Sequence, residues 1–340
     1  MLRPLTRRFL QLNPRPWSAP AFVSGGVRYD RRVHTIVSRR DLLIGAASAG
    51  LALPAVRSLA QPEARALELV ELGERIAVVR GAGGNVTVLA ANDGLLLVDG
   101  GRAEHADALV ALLRDRWPGK PIRDVFNTSW RPEHTGANKA LRAAGARIHA
   151  HENTKLWMGA RFKVEWQGLA HEPAPAEALP TDTFYESGQL ELGGIEVRYG
   201  HLKRAHTDGD VYVHFPAENV FAVGDLLAVD AYPLPDYETG GWIGGMVDAT
   251  AALLEATDAE SRIVPAEGAV QSRRALDVQL ELCKGVMAQA AATYRAGGTL
   301  EDYLAAAAPG LDPRRGDPTL FLTLVYDGGY YHSRELGGIV

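Results

Sequence analysis

Four short segments, two of them unbroken apolar runs (LLLV and VFAV), end in polar residues at a turn: LLLVDGG at 95–101, IRDVFNTSW at 122–130, VFAVGDL at 220–226 and RIVPAEG at 262–268. A run of consecutive apolar residues this short, bounded by glycine or proline, is a strand buried on both faces. Such strands need layers on either side of them, so the polar residues at their ends can emerge only at a sheet edge. That narrows the chain to a layered α/β fold whose chemistry sits where strands finish.

The rest of the chain supplies the layers. LELVELG, ERIAVVRG and VTVLAAN precede the first run and are separated by turn residues, which marks hairpins. In AEHADALVALLRDRW, 103–117, the apolar spacing becomes helical. A helix is expected from about Pro132 to Ala144, followed by a strand at ARIHAHEN and another helix. The second half repeats the order, with strands near Thr183 to Glu186, Gly188 to Tyr199, Val211 to Phe215 and Val220 to Val223. A helix from about Gly244 to Ala256 and a strand at Arg262 to Val264 follow. From Ser272 on, the pattern is helical. There is no short repeat and no low-complexity linker, so residues 61–340 read as one domain of two similar halves, with 271–340 as a helical extension.

Composition excludes several alternatives. With 46% hydrophobic and 23% charged residues, the chain is neither disordered nor fibrous. A lone cysteine, Cys283, permits no internal disulfide and no cysteine-rich zinc site. It falls among Leu282, Val286 and Met287, as a small buried hydrophobe would.

The charge is unevenly spread. Ten of the 36 basic residues but only two of the 41 acidic ones fall in 1–60, leaving 26 and 39 and a formal net charge of −13 over the remaining 280 residues. An anionic surface of that size disfavours nucleic acid and anionic lipid. Within the basic segment, Arg39-Arg40 precedes LLIGAASAGLALPAV and then Ser58-Leu59-Ala60. A charged stretch, a short mildly apolar core and small residues at a cleavage point make an export signal, here of the twin-arginine type. We expect cleavage after Ala60, passage through the twin-arginine machinery, no stable membrane anchor afterwards, and a periplasmic or extracellular destination. The segment ahead of Ser38 is long for such a signal, so translation starts either at Met1 or near Val37.

The segment Asn127-Thr128-Ser129-Trp130-Arg131-Pro132-Glu133-His134-Thr135-Gly136-Ala137-Asn138 resembles the metallo-β-lactamase superfamily signature NTHWHxDHTGGN. The Asp-Gly strand end LLLVDGG, the turn Ala205-His206-Thr207-Asp208-Gly209-Asp210, the strand VFAVGDL and Val264-Pro265-Ala266-Glu267-Gly268 resemble that family's further motifs, in the same order. The resemblance covers about residues 65 to 270. It implies an αββα sandwich, two mixed β-sheets with outer helices, here with C-terminal helices added. It also implies two metal ions that activate a bridging water.

Measured against that pattern the ligand set is altered. The two leading histidines are Ser129 and Arg131, the aspartate is Glu133, and the last histidine is Glu267; His134, His206 and Asp225 remain. A guanidinium has no lone pair to give a metal, so the first site should be empty. Glu133, His134, Asp225 and Glu267 could still form the second. Two readings follow. In one, the protein is a mononuclear hydrolase of an ester, amide or lactone, using zinc, manganese or iron, with Arg131 and His206 as electrostatic and proton-handling partners. In the other there is no metal: Arg131 occupies the lost site and pairs with Asp225 or Glu133, one remaining carboxylate takes a proton, and the pocket binds a small molecule as a pseudo-enzyme. Ser129, Trp130, Tyr232, Tyr237 and Trp242 are candidate pocket residues, the last three on a loop expected to cover the site. His149 and His151 share a strand face but read as structural, and His105, His171, His201 and His214 carry no spacing signal.

Overall fold

The computed structural model describes residues 66–335, which lie in the second of two units into which the chain divides, Gln61–Val340. The proposed export signal and translation start lie outside the described residues. The chain opens with an antiparallel meander, β1 (Glu68–Glu71), β2 (Ile76–Arg80), β3 (Val86–Ala91) and β4 (Gly94–Val98). Helix α1 (Ala106–Arg116) leads to β5 (Ile122–Phe126). Two short helices, α2 (Pro132–Thr135) and α3 (Asn138–Ala143), precede β6 (Arg147–His151) and α4 (Glu152–Met158). A small hairpin follows, β7 (Phe162–Val164) with β8 (Leu169–His171), and then β9 (Asp182–Phe184). Strands β4, β5, β6 and β9 are parallel, completing a seven-stranded mixed sheet in the order β1-β2-β3-β4-β5-β6-β9.

The second sheet takes β10 (Gly188–Leu192), β11 (Ile195–His201), β12 (Val211–Phe215), β13 (Val220–Gly224), β14 (Arg262–Pro265) and β15 (Gln271–Ser272), in that order. Helix α5 (Ile243–Ala256) joins β13 to β14, which pair in parallel. Helices α6 (Arg274–Arg295), α7 (Leu300–Ala307) and α8 (Thr319–Glu335) finish the chain. None of the described helices is long and apolar enough to cross a membrane.

Alternation along the strands decides the layering. On β4, Leu95 and Leu97 pack with Leu109, Leu113 and Leu141 of the helices outside, while Leu96 and Val98 pack inward with Phe126 and, from the second sheet, Val213, Phe215 and Val264. On β13, Phe221 and Val223 face outward to α5, α6 and α8 through Met246, Leu253, Leu276 and Phe321. Helix, sheet, sheet and helix therefore stack as an αββα sandwich, and both strands are buried on two faces as their unbroken apolar runs require. Cys283 is buried in the outer layer of the second sheet, where burial pushes its thiol up to about 12.

Two local expectations need correction. The helix expected over 132–144 is interrupted where the Ala137 N–H donates to Gly101 O at 3.2 Å in place of a carbonyl of its own helix; beside it Gly136 packs on the backbone of Arg102 and Ala103 with no room for a side chain. The strand expected over 188–199 is a hairpin, turned at Gly193 and Gly194, whose φ values of 55° and 82° suit glycine. The β7–β8 hairpin has no alternation to announce it, its second strand reading Leu-Ala-His.

Candidate functional site

The ends of β4, β5 and β13 meet, and their first polar residues interlock. Asp99, in a left-handed conformation at φ 65°, accepts from the Thr128 backbone at 2.7 Å and from Thr128 Oγ1 at 2.8 Å. Across the sandwich, Gly224 packs so closely on Thr128 that a side chain there would collide with its hydroxyl. Beyond Gly224, Asp225 emerges beside α2. Asn127 and Asn138, both fully buried, exchange hydrogen bonds at 2.8 and 3.1 Å, and Asn127 also donates to His134 O. These contacts hold the turn that carries Arg131, Glu133 and His134.

His134 sits between two carboxylates, with Nδ1 2.8 Å from Asp99 and Nε2 2.8 Å from Asp225. Burial opposes charging the ring, but Asp99 and Asp225 outweigh it and hold the imidazolium well above the usual histidine range. Arg131 lies on the other side of Asp225. Its Nε is 3.5 Å from Asp225 Oδ2 and 3.6 Å from Glu133 Oε2, and its Nη1 donates to His206 Nε2 at 3.1 Å. Because a guanidinium only donates, His206 Nε2 is the acceptor and its Nδ1–H must be the group that donates to Leu234 O. Burial keeps that imidazole neutral, near 4, with Arg131 adding to the effect. Glu133 is also paired with Arg102, which runs over Gly83 to reach it.

Burial disfavours the charged forms of Asp225 and Glu133, yet Arg131, with His134 on the first and Arg102 on the second, keeps both carboxyls below their ordinary range. Arg131 thus faces both Asp225 and Glu133, the two carboxylates expected as its partners. Burial acts instead on Asp210, whose carboxyl is pushed up to about 8 and is held by Thr207 at 2.5 and 2.8 Å. Arg131, expected as an electrostatic partner in hydrolysis, has its guanidinium turned to the protein's own carboxylates.

The donors can now be tested against a divalent metal. A ligand must bring a free lone pair, and here His134 has a carboxylate oxygen 2.8 Å from each ring nitrogen, His206 spends its lone pair on Arg131, and Glu133 is tied to Arg102. Glu267 is exposed at the cavity wall, with no hydrogen bond or ion pair among the described residues. Among the described residues, no group of three or more His, Cys, Asp or Glu is placed to hold a metal ion. The residues do not fit the metal that the resemblance implies.

A cavity of about 490 Å³ opens over this cluster, lined by Arg131, His206, Asp225 and Glu267 on one side and by Leu227, Val229, Tyr232 and Leu234 on the other. Trp166 and Gln167, from the tip between β7 and β8, also line it; no periodicity or motif marks them in the sequence. Arg102 was missed too, although it directly follows Gly100-Gly101. Of the candidate pocket residues only Tyr232 reaches this cavity. Ser129 is buried beneath Arg131. Trp130 points away, donating to Thr239 Oγ1 at 3.1 Å and packing with Met158 and Val164. Tyr237 is turned onto Gly328 of α8 and Trp242 onto Gly244 of α5, so both serve the packing of the C-terminal helices. His149 is held by Asp124 at 2.7 Å, and His151 stacks on His201 at 3.9 Å between ring centres.

Comparison with known proteins agrees with this architecture. The family model of the metallo-beta-lactamase superfamily matches residues 79–275. A metallo-beta-lactamase from Pontibacter korlensis superposes with a TM-score of 0.53 at 18% identity, over 64% of this chain and 99% of that one. The DIM-1 metallo-beta-lactamase gives 0.52 at 17%, over 64% and 97%. A stereoselective inverting sec-alkylsulfatase from a Pseudomonas species gives 0.60 at 17%, over 80% of this chain and 51% of the sulfatase, so the chain spans about half of that enzyme. At these identities the likeness is one of fold.

Proposed function

The chain belongs to the metallo-beta-lactamase superfamily, and from that premise we propose that it binds a small molecule without a metal, its metal-dependent hydrolase machinery replaced by an internal ion-pair cluster. The observation that carries this reading is the position of Arg131. Its guanidinium contacts His206 Nε2, Asp225 Oδ2 and Glu133 Oε2 together, so a fixed organic cation meets the groups that would otherwise face an inorganic one. The residues act to hold a shape. Arg131 and His134 neutralise Asp225, Arg102 anchors Glu133, and the loop through Leu227 to Leu234 closes an apolar wall over them.

The cavity lining has three acids, Asp225, Asp230 and Glu267, against the single Arg131. That balance suits an uncharged or cationic ligand and repels an anionic one. Export through the twin-arginine route is part of the same proposal, supported by Arg39-Arg40 and the apolar stretch after it.

Elemental analysis tests the central claim. The purified protein, incubated with zinc, manganese or iron(II) and desalted, should retain less than about a tenth of an equivalent of any of them. Arg131→His should gain metal, because it frees His206 Nε2 and adds an imidazole where the guanidinium was. A stoichiometric metal in the wild type that disappears in Asp225→Ala would establish the mononuclear hydrolase instead.

A further inference from the structure

A second cavity, about 310 Å³, shares no lining residue with the first. It lies between α2, α3, α4 and the β7–β8 hairpin, and its walls are Trp130, Trp157, Met158 and Phe162. The rings are already ordered against one another. Trp130 stands edge-on to Phe162 at 4.9 Å and to His171 at 4.6 Å, while Phe162 and His171 stack at 4.9 Å with 21° between their planes.

Four polar side chains, Thr135, Lys139, His171 and Glu172, interrupt this apolar lining, and two of them carry an unpartnered polar atom. His171 Nε2 is buried and has no hydrogen-bond partner, a state that costs free energy unless something else supplies the partner. Lys139 is exposed at the cavity and has no ion pair or hydrogen bond among the described residues. Glu172 also lines the cavity, but its carboxylate is paired with Arg161 at 2.6 Å. The unbalanced charge is therefore positive, the opposite of the larger cavity.

We infer that this cavity is a binding site for a planar aromatic carboxylate. The ring would enter among the tryptophan and phenylalanine faces. Its carboxylate would pair with the Lys139 ammonium, and a polar substituent on the ring would meet His171 Nε2 once a rotation of that side chain exposes the buried nitrogen to the cavity. The acids of the larger cavity exclude the same anion there, so the two sites select opposite charge.

Isothermal titration of the intact chain with 4-hydroxybenzoate, followed in parallel by tryptophan fluorescence, tests the assignment. One equivalent should bind and perturb the emission. Lys139→Gln should weaken 4-hydroxybenzoate by about fivefold, the usual worth of one exposed ion pair, while leaving 4-hydroxybenzyl alcohol unaffected. His171→Phe should abolish the preference for 4-hydroxybenzoate over benzoate. Both substitutions lie at a cavity wall, and unchanged near-ultraviolet circular dichroism confirms that they fold. Absence of binding at millimolar ligand overturns the proposal. So do wild-type affinity and preference in both variants, or tighter binding in Asp230→Asn, which would put the anion in the larger cavity.

Discussion

Arg131→Met removes the cation that organises the candidate site while keeping much of the side chain's bulk. In the native protein, the Nε contacts with Asp225 and Glu133 at 3.5 and 3.6 Å correspond to roughly 5 kcal/mol of attraction each at an effective dielectric of about 20. Desolvation of the three groups cancels much of that. What the variant loses is compensation, because two carboxylates then share their surroundings with His134 and Arg102 alone, and His206 Nε2 loses its donor. Removing one partner of a buried pair costs about 3–5 kcal/mol. Arg131 is 19% exposed and Asp225 likewise, so water relieves part of the loss and about 3 kcal/mol is expected. For a folded unit of about 280 residues that lowers Tm by about 5 °C. Urea unfolding at pH 7 should show a lower midpoint with an unchanged slope. The deficit should also shrink toward acid. Arg131 depresses both carboxyl groups in the native state, a contribution present above their unfolded values and lost as pH falls through the folded ones. The variant lacks that contribution and so has less to lose. A change within about 0.5 kcal/mol at pH 7, or a deficit that grows at pH 4, would refute the account of Arg131 as the replacement cation.

The loop carrying Glu267 is held by Asn85, whose side chain donates to Pro265 O at 2.9 Å and Gly268 O at 3.0 Å; Asn85→Ala should cost about 1–2 kcal/mol in urea unfolding. Gly241→Ala places a carbon 1.9 Å from His206 O, and should destabilise by about 3 kcal/mol by forcing the two turns apart. His151 accepts from the Asn153 backbone as the N-cap of α4 and stacks on His201, and burial, reinforced by His201, lowers its ring to about 4. The unfolded histidine takes up a proton near 6.5 and the folded one does not. Its contribution is therefore intact above 6.5 and is lost as pH falls toward 4. His151→Asn keeps a capping side chain, and its thermal stability should fall less than the wild type's between those pH values.

Much of the architecture is legible in the chain because burial writes itself into composition. LLLV and VFAV have no polar face to show water, so they can only be central strands, and the Asp-Gly and Gly-Asp that follow them have to surface together. The same reasoning marks Arg131, since no position in the fold lets a guanidinium donate an electron pair. Breaks within elements were not legible. The helix over 132–144 breaks because Ala137 turns its N–H to Gly101, far off in sequence, and nothing local to 132–144 carries that information.

The sequence by itself thus determined the layered fold, the strand-end location of the polar cluster and the misfit of its first metal position. Tertiary structure alone decided the partners: that His134 bridges Asp99 and Asp225, that Arg102 reaches Glu133, and that Arg131 turns inward. It also decided that Trp130, Tyr237 and Trp242 belong to packing and not to the main cavity. The physical reason is that periodicity tells which face of a strand or helix is buried, whereas a loop has no period. The direction of its side chains is set by whichever distant surfaces they fill.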